Sequence, residues 1–134
     1  MSQFYDIDAA NAAVPKIDSI IRLLADQRTE LVRLRDEVLA HGGAGDGPAT
    51  AIAEDLRLSR LRMQGLIDQM AAGVARLDAM GLTLRDIEHG LVDLPALVSG
   101  RQVWLCWQVG EPVIGWWHEL DTGFADRRPL IELA

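Results

Sequence analysis

The sequence has 134 residues and a formal net charge of −7 at pH 7, with 20 acidic residues against 13 basic ones. An acidic surface repels phosphate backbones and anionic lipid headgroups, which argues against nucleic acid and membrane surfaces as partners. A single cysteine excludes an intramolecular disulfide, the N-terminus lacks the basic flank of a secretory signal, and no stretch approaches the roughly 20 apolar residues of a membrane span. We therefore expect a soluble, cytoplasmic protein.

Residues 1–81 are predicted to form two helices. Apolar residues recur at steps of three and four from Val14 to Val38, and Asp6 is the candidate N-cap of the first helix. Pro15 predicts a kink or a second start, because it removes a backbone donor and crowds the preceding turn. The glycine-rich segment 41–48 should end the first helix, and the apolar stripe returns after residue 50.

Two helices joined by a short loop should form a long antiparallel hairpin. Gly65 and Gly73 lie inside the second helix, where each either permits close helix–helix approach or is tolerated on the surface. The apolar stripes are wide and need more cover than one neighbouring helix provides. That cover comes either from the rest of the chain or from a second copy, and we expect a homodimer with helices packed between subunits.

Residues 82–134 are predicted to form a small antiparallel β module, packed on the hairpin as one folding unit. Residues 82–87, LTLRDI, alternate in polarity and predict a short strand, whereas Pro95 breaks the apolar segment that follows. The clearest strand pattern is VWLCWQ at 103–108 and VIGWWH at 113–118, with a reversal between them. The predicted fold class is therefore α+β, mainly α.

The reversal predicts which side chains share a face of the sheet. If Gly110 and Glu111 form a two-residue loop, Cys106 lies opposite Gly115. Cys106 and His118 then lie on opposite faces, which argues against a shared metal ion. Both faces carry apolar side chains, so we expect one to meet the helices and the other to meet the segment 82–98, the C-terminal tail or a partner chain.

Several strings in the C-terminal half occur in a fixed order: GLVDLP, VWLCWQVGEP, WWHELDTGF and RRP, between residues 90 and 129. With FYDIDAANAAVP at residues 4–15, these strings resemble the bacterial family called domain of unknown function 2203, over nearly the whole chain. The resemblance implies a small soluble protein with a helical hairpin and the C-terminal module. It implies no assigned activity.

Carboxylates, imidazoles and the one thiol concentrate in the C-terminal module, and these groups are ligands for divalent metals. The candidate metal ligands are His118, Glu111 and Asp93, although no H-E-x-x-H or C-x-x-C spacing supports them. The wider candidate ligand-binding set adds Cys106 and Arg128. Arg127 and Arg128 would either clamp an anion or pair with neighbouring acids.

The two most reactive candidates also have structural interpretations. Cys106 is either a nucleophile, which needs a neighbouring base and a lowered pKa, or a buried small apolar residue between two tryptophans. His118 is either a general base or a histidine that pins a loop by a hydrogen bond to Asp93, Glu119 or Asp121.

Two functions follow from these alternatives. The first, which we favour from sequence, is a non-enzymatic, self-associating protein-interaction domain that needs no cofactor. The second is a protein that binds a divalent metal ion or a small molecule around His118, with hydrolysis as an available chemistry. The sequence leaves enzymatic activity, substrate and partner open.

Overall fold

Two long helices come first in the chain, and a five-stranded sheet follows them. The structure, a computed structural model, describes residues 4–41 and 49–133. Helix α1 spans Ile7–His41 and helix α2 spans Ala49–Ala79. The predicted glycine-rich loop between them, at 42–48, lies outside the described residues. As far as those residues go, neither helix is long and apolar enough to cross a membrane.

Helix α1 starts at a side-chain cap and continues through a proline. The backbone N–H of Ala9 donates to Asp6 Oδ1 at 2.7 Å, which confirms Asp6 as the N-cap. Pro15 lies inside the helix, so the predicted second start is wrong. Val14 and Ile17, on either side of Pro15, are buried in the core, and this packing offsets the missing backbone hydrogen bond.

The two helices form the predicted antiparallel hairpin. The side chains of Gln27 and Gln69 are joined by a hydrogen bond of 3.2 Å. Farther from the sheet, Arg62 Nη2 lies 3.3 Å from Glu30 Oε1. Contacts therefore advance along α1 while they recede along α2, which is the signature of antiparallel packing.

The two glycines inside α2 have different roles. A Cβ atom added to Gly73 would lie 2.8 Å from Leu24 Cδ2, so the absence of a side chain there allows the helices to approach closely. A Cβ atom added to Gly65 would meet nothing within 4 Å. Close approach thus explains Gly73, and surface tolerance explains Gly65.

The sheet is an antiparallel meander in which each strand pairs with the next one along the chain. The predicted strand at 82–87 is confirmed as the first of the five, and the predicted class of helical hairpin plus C-terminal β module is confirmed with it. The strands are β1 (Thr83–Asp86), β2 (Leu91–Val98), β3 (Arg101–Gln108), β4 (Trp116–His118) and β5 (Arg128–Pro129).

Strand β2 was not predicted, because Pro95 lies in its middle. The carbonyl of Pro95 accepts the N–H of Tyr5 at 2.8 Å, and the carbonyl of Tyr5 accepts the N–H of Leu97 at 3.4 Å. A residue's nitrogen and carbonyl point to the same side of a strand, so the nitrogen of Pro95 points away from β3. On that side β1 extends only to Thr83, opposite Asp93. The proline therefore removes no hydrogen bond from the sheet.

Strands β3 and β4 pair one residue away from the predicted register. Cys106 lies opposite Trp116, whereas the predicted two-residue loop would place it opposite Gly115. A shift of one residue moves every side chain of a strand to the other face. His118, which pairs with Trp104, therefore shares a face with Cys106, and the prediction that they lie on opposite faces is wrong.

The register differs because the connection between β3 and β4, residues 109–115, is bonded outside the strand ladder. The indole N–H of Trp107 donates to the carbonyl of Glu111 at 2.9 Å. The backbone N–H of Ile114 donates to the side chain of Asn11 on α1, at 2.7 Å, and Ile114 itself is buried in the core. These contacts hold the chain as a wider loop, so that pairing resumes only at β4.

The core lies between the helices and one face of the sheet. Helix α1 and the end of α2 cover this face, and two of the four tryptophans, Trp107 and Trp117, point into it. Trp104 and Trp116 lie on the opposite face and are half-buried. The sheet contributes Val92, Leu94, Ala96, Val103, Leu105, Trp107 and Trp117 to the core.

The difference in burial between the tryptophans predicts a difference in stability. Replacement of Trp107 by Ala should lower the free energy of unfolding by about 3–5 kcal/mol, because it empties a fully buried site. Replacement of Trp104 by Ala should cost less than half as much, since part of that side chain already contacts solvent. Urea unfolding followed by circular dichroism measures both, and equal losses would contradict the assigned faces.

Candidate functional site

The observed register brings three potential metal ligands together on the face of the sheet that points away from the helices. Asp93 on β2 pairs directly with Cys106 on β3, and His118 on β4 follows two residues after the partner of Cys106. One ligand atom from each side chain lies within 4.8 Å of the other two, and all three residues are buried. The three residues are called the Asp–Cys–His cluster below.

The imidazole of His118 lies between two oxygen acceptors. Nδ1 lies 2.8 Å from the backbone carbonyl of Glu119, and Nε2 lies 3.0 Å from both carboxylate oxygens of Asp93. When Nδ1 carries the proton and donates it to the carbonyl, Nε2 has a lone pair that faces a carboxylate. That arrangement leaves room between Nε2 and the carboxylate for one shared proton or for a bound cation.

A cationic side chain, Arg85, borders the cluster from β1. Its Nε donates to Asp93 Oδ2 at 2.8 Å, and its guanidinium lies 5.2 Å from the ring centre of Trp104. The side chain of Arg85 is 47% exposed, whereas that of Asp93 is 4% exposed. Arg85 thus orients the carboxylate from the solvent side and leaves Oδ1 for another partner.

Burial makes Cys106 a poor nucleophile. It raises the pKa of the Cys106 thiol to about 11, and the negative charge of Asp93 adds to the shift, while the nearby guanidinium of Arg127 opposes it. A reactive cysteine has a lowered pKa and an accessible sulfur. The arrangement favours a buried thiol that is unreactive toward solvent reagents.

Two predicted site residues lie outside the cluster. Glu111 accepts the backbone N–H of Gln108 at 2.6 Å and forms an ion pair of 3.2 Å with Arg127. Arg128 is exposed and its guanidinium lies 5.8 Å from the ring centre of Trp117, at the edge of the helix-facing side. The structure thus brings Asp93, Cys106 and His118 together and assigns Glu111 to the loop that follows β3.

Arg127, and not Arg128, packs against the aromatic side chains of the outer face. Its guanidinium is stacked between the rings of Trp116, at 4.5 Å, and Phe124, at 4.3 Å, and it is mostly buried. From sequence, Arg127 was a candidate anion clamp or ion-pair partner together with Arg128, whereas Arg85 was not singled out. Arg85 lies at an irregularity of β1 between Leu84 and Asp86, so the alternation of the strand does not by itself predict its face.

A cavity of about 280 Å³ opens beside the cluster. Asp93 and Cys106 contribute to its wall, and the segment that follows β4 forms the opposite side. Part of the C-terminal segment therefore lies over the outer face, which was one of the three predicted covers. The lining residues are Arg85, Leu91, Asp93, Cys106, Leu120, Asp121, Thr122, Gly123 and Phe124.

The pKa of Cys106 predicts slow alkylation of the folded protein. With a pKa of about 11, about one thiol in a thousand is ionised at pH 8, and the sulfur is also shielded from reagents. Iodoacetamide labelling measured by mass spectrometry should therefore be slow in buffer and fast in urea. Equally fast labelling under both conditions would restore the nucleophile interpretation.

Comparison with known proteins gives one match. The family model described as an uncharacterized conserved protein, domain of unknown function 2203, matches residues 3–130. Searches of curated proteins and of solved structures found no match. Because the model covers nearly the whole chain, this protein belongs to the family of uncharacterized conserved proteins defined by domain of unknown function 2203.

Proposed function

We propose that the protein binds a divalent transition metal ion through Asp93, Cys106 and His118. One observation carries the proposal: three buried ligand atoms lie within 4.8 Å of one another, and among them an imidazole nitrogen faces a carboxylate. A bound cation satisfies both groups and deprotonates the thiol beside them. The proposal replaces the sequence-based preference for a protein-interaction domain as the leading function.

Zinc matches the donor set best. Sulfur, imidazole nitrogen and carboxylate oxygen are its usual ligands, at metal–ligand distances of about 2.0–2.3 Å. Ligand atoms around a tetrahedral ion of that size lie about 3–4 Å apart, so the side chains of the cluster need to contract by about 1 Å or less. Three protein ligands are the number that catalytic zinc sites have, with the fourth position left for water or substrate.

The surroundings of the cluster supply the supporting contacts that such a site needs. A metal-bound histidine commonly donates its second ring N–H to a backbone carbonyl, and the carbonyl of Glu119 is in place to accept it from His118. A metal-bound carboxylate is commonly hydrogen-bonded in turn, as Asp93 is by Arg85. These contacts favour Nε2 of His118 and Oδ1 of Asp93 as the metal-binding atoms.

Metal analysis of the purified protein tests the proposal. We expect one zinc ion per chain after dialysis, and an increase in thermal stability equivalent to about 2.7 kcal/mol when free zinc is at 100 times its dissociation constant. The variants Cys106→Ser, His118→Ala and Asp93→Asn should each weaken zinc binding tenfold or more, because each removes one of three ligands.

Glu111→Gln provides the matched control. Glu111 is a carboxylate of the same module that was predicted from sequence as a ligand, but its contacts are to Gln108 and Arg127. This variant should keep its zinc. Circular dichroism shows whether each variant is folded. Wild-type protein without zinc, or three cluster variants that retain it, would overturn the proposal.

Self-association is a second candidate function, supported by the outer half of the helical hairpin. The core that the helices share with the sheet draws on α1 up to Leu24 and on α2 from Met70 onward. Beyond these points, in residues 31–40 and 51–67, only Leu34 is buried. Large apolar side chains are instead exposed there: Leu39 (70%), Leu58 (47%), Leu61 (57%) and Ile67 (45%). A second copy packed on this arm would cover them, which keeps the homodimer as a proposal.

Light scattering after size-exclusion chromatography tests the homodimer. We expect a dimer at micromolar concentration and a monomer when Leu58 and Leu61, neighbours on one side of α2, are both replaced by Ser. Ile131→Ser is the control, because Ile131 is 83% exposed and lies in the β module. A monomeric wild-type protein, or a dimer that the double variant leaves intact, would contradict self-association through the arm.

A further inference from the structure

The cavity beside the Asp–Cys–His cluster reaches two of its three residues. Asp93 and Cys106 line the cavity, while His118 is almost completely buried behind them. An ion held by all three therefore has its remaining coordination position on the cavity side. At about 280 Å³ the cavity is near the lower end of the range for small-molecule sites, about 300–1,000 Å³.

Charge selects an anion for this cavity. A divalent ion balances the carboxylate of Asp93 and the thiolate of Cys106, which leaves the guanidinium of Arg85 as the uncompensated charge of the lining that contacts the cluster directly. Arg85 uses Nε for Asp93 and is 47% exposed, so its two terminal nitrogens are accessible to a ligand. Asp121, also at the wall, is exposed to solvent, where its charge is screened.

The shape of the ligand follows from the apolar part of the wall. Leu91, Leu120 and Phe124 line the cavity, and the last two are among the large apolar side chains that are exposed, at 53% and 39%. A guanidinium matches the planar geometry of a carboxylate with two parallel hydrogen bonds. An organic acid with a short apolar chain can bind Arg85 through its carboxylate and pack its chain against the apolar lining residues. Inorganic phosphate can make only the charged contact.

The geometry points to a binding site for a short-chain carboxylate, with the acid bound to the metal ion and to Arg85 and with its chain against Leu120 and Phe124. This inference rests on the proposed metal binding. The ligand is a small free acid, and its carboxylate takes the fourth metal position in place of water.

Calorimetric titration of the zinc-loaded protein with butyrate and with acetate tests the inference. Each buried methylene strengthens binding about fourfold, so butyrate, with two more methylenes, should bind roughly fifteenfold more tightly than acetate. In protein loaded with cobalt(II) instead of zinc, both acids should change the visible absorption spectrum, because they enter the coordination sphere. Equal affinities without a spectral change, or equally tight binding of butyrate to metal-free protein, would overturn the inference.

Two variants separate the parts of the site. Arg85→Gln should weaken binding of both acids tenfold or more, since a charged hydrogen-bond donor is lost, and Leu120→Ala should bring the two affinities together. The matched controls are Arg57→Gln on α2 and Ile131→Ala in the β module, neither of which lines the cavity, and both variants are expected to bind as wild type.

Absence of zinc in the wild-type protein would overturn the proposed function together with this inference. Bound zinc without any response to either acid would overturn this inference alone.

Discussion

The pairing of β3 with β4 is the constraint on which the rest of the module depends. With Leu105 opposite Trp117, both side chains point into the core against the helices. The same register places Cys106 and His118 on the opposite face, where Asp93 joins them from β2. Core and cluster are therefore fixed together: a slip of β4 by one residue would turn Trp117 out of the core and would also separate His118 from Asp93 and Cys106.

The loop before β4 sets this register, and helix α1 in turn holds the loop. Asn11 accepts the backbone N–H of Ile114, whose side chain is buried in the core. Glu111, in the same loop, forms the ion pair with Arg127. Because Arg127 is stacked between Trp116 and Phe124, the loop also anchors the segment that closes the cavity. The long helices thereby position a site that they do not touch.

The sequence was sufficient for the helices and insufficient for the register. Apolar residues at steps of three and four define a helix locally, and Asp6 capped α1 as its chemistry predicts. The strand pattern at 103–108 was equally clear. The connection at 109–115, however, depends on the hydrogen bond of Ile114 to Asn11, which is 103 residues away in sequence, as well as on the local bond of Trp107 to Glu111. A two-residue loop was the simplest local solution, and the contact with Asn11 could not be read from the sequence.

Pro95 is a second case in which local sequence was insufficient, here for the prediction of strand β2. In the sequence it interrupts an apolar segment, and in the structure it lies in a central strand at a point where, within residues 4–41 and 49–133, Tyr5 alone reaches the free edge. The error concealed Asp93 as a partner of Cys106, because a residue outside any strand has no register. The two missed features, strand β2 and the shifted pairing, are the two that assemble the cluster.

The cluster joins three neighbouring strands through polar side chains that are almost fully buried, which is costly unless the groups neutralise one another. Arg85 supplies a positive charge to Asp93 from the solvent side, and the thiol of Cys106, with its raised pKa, is neutral when no metal is bound. The proposed metal ion would bind one ligand from each of the three strands. It would cross-link β2, β3 and β4, and because the ligands converge only in the folded module, its binding energy would contribute to the folding of the sheet.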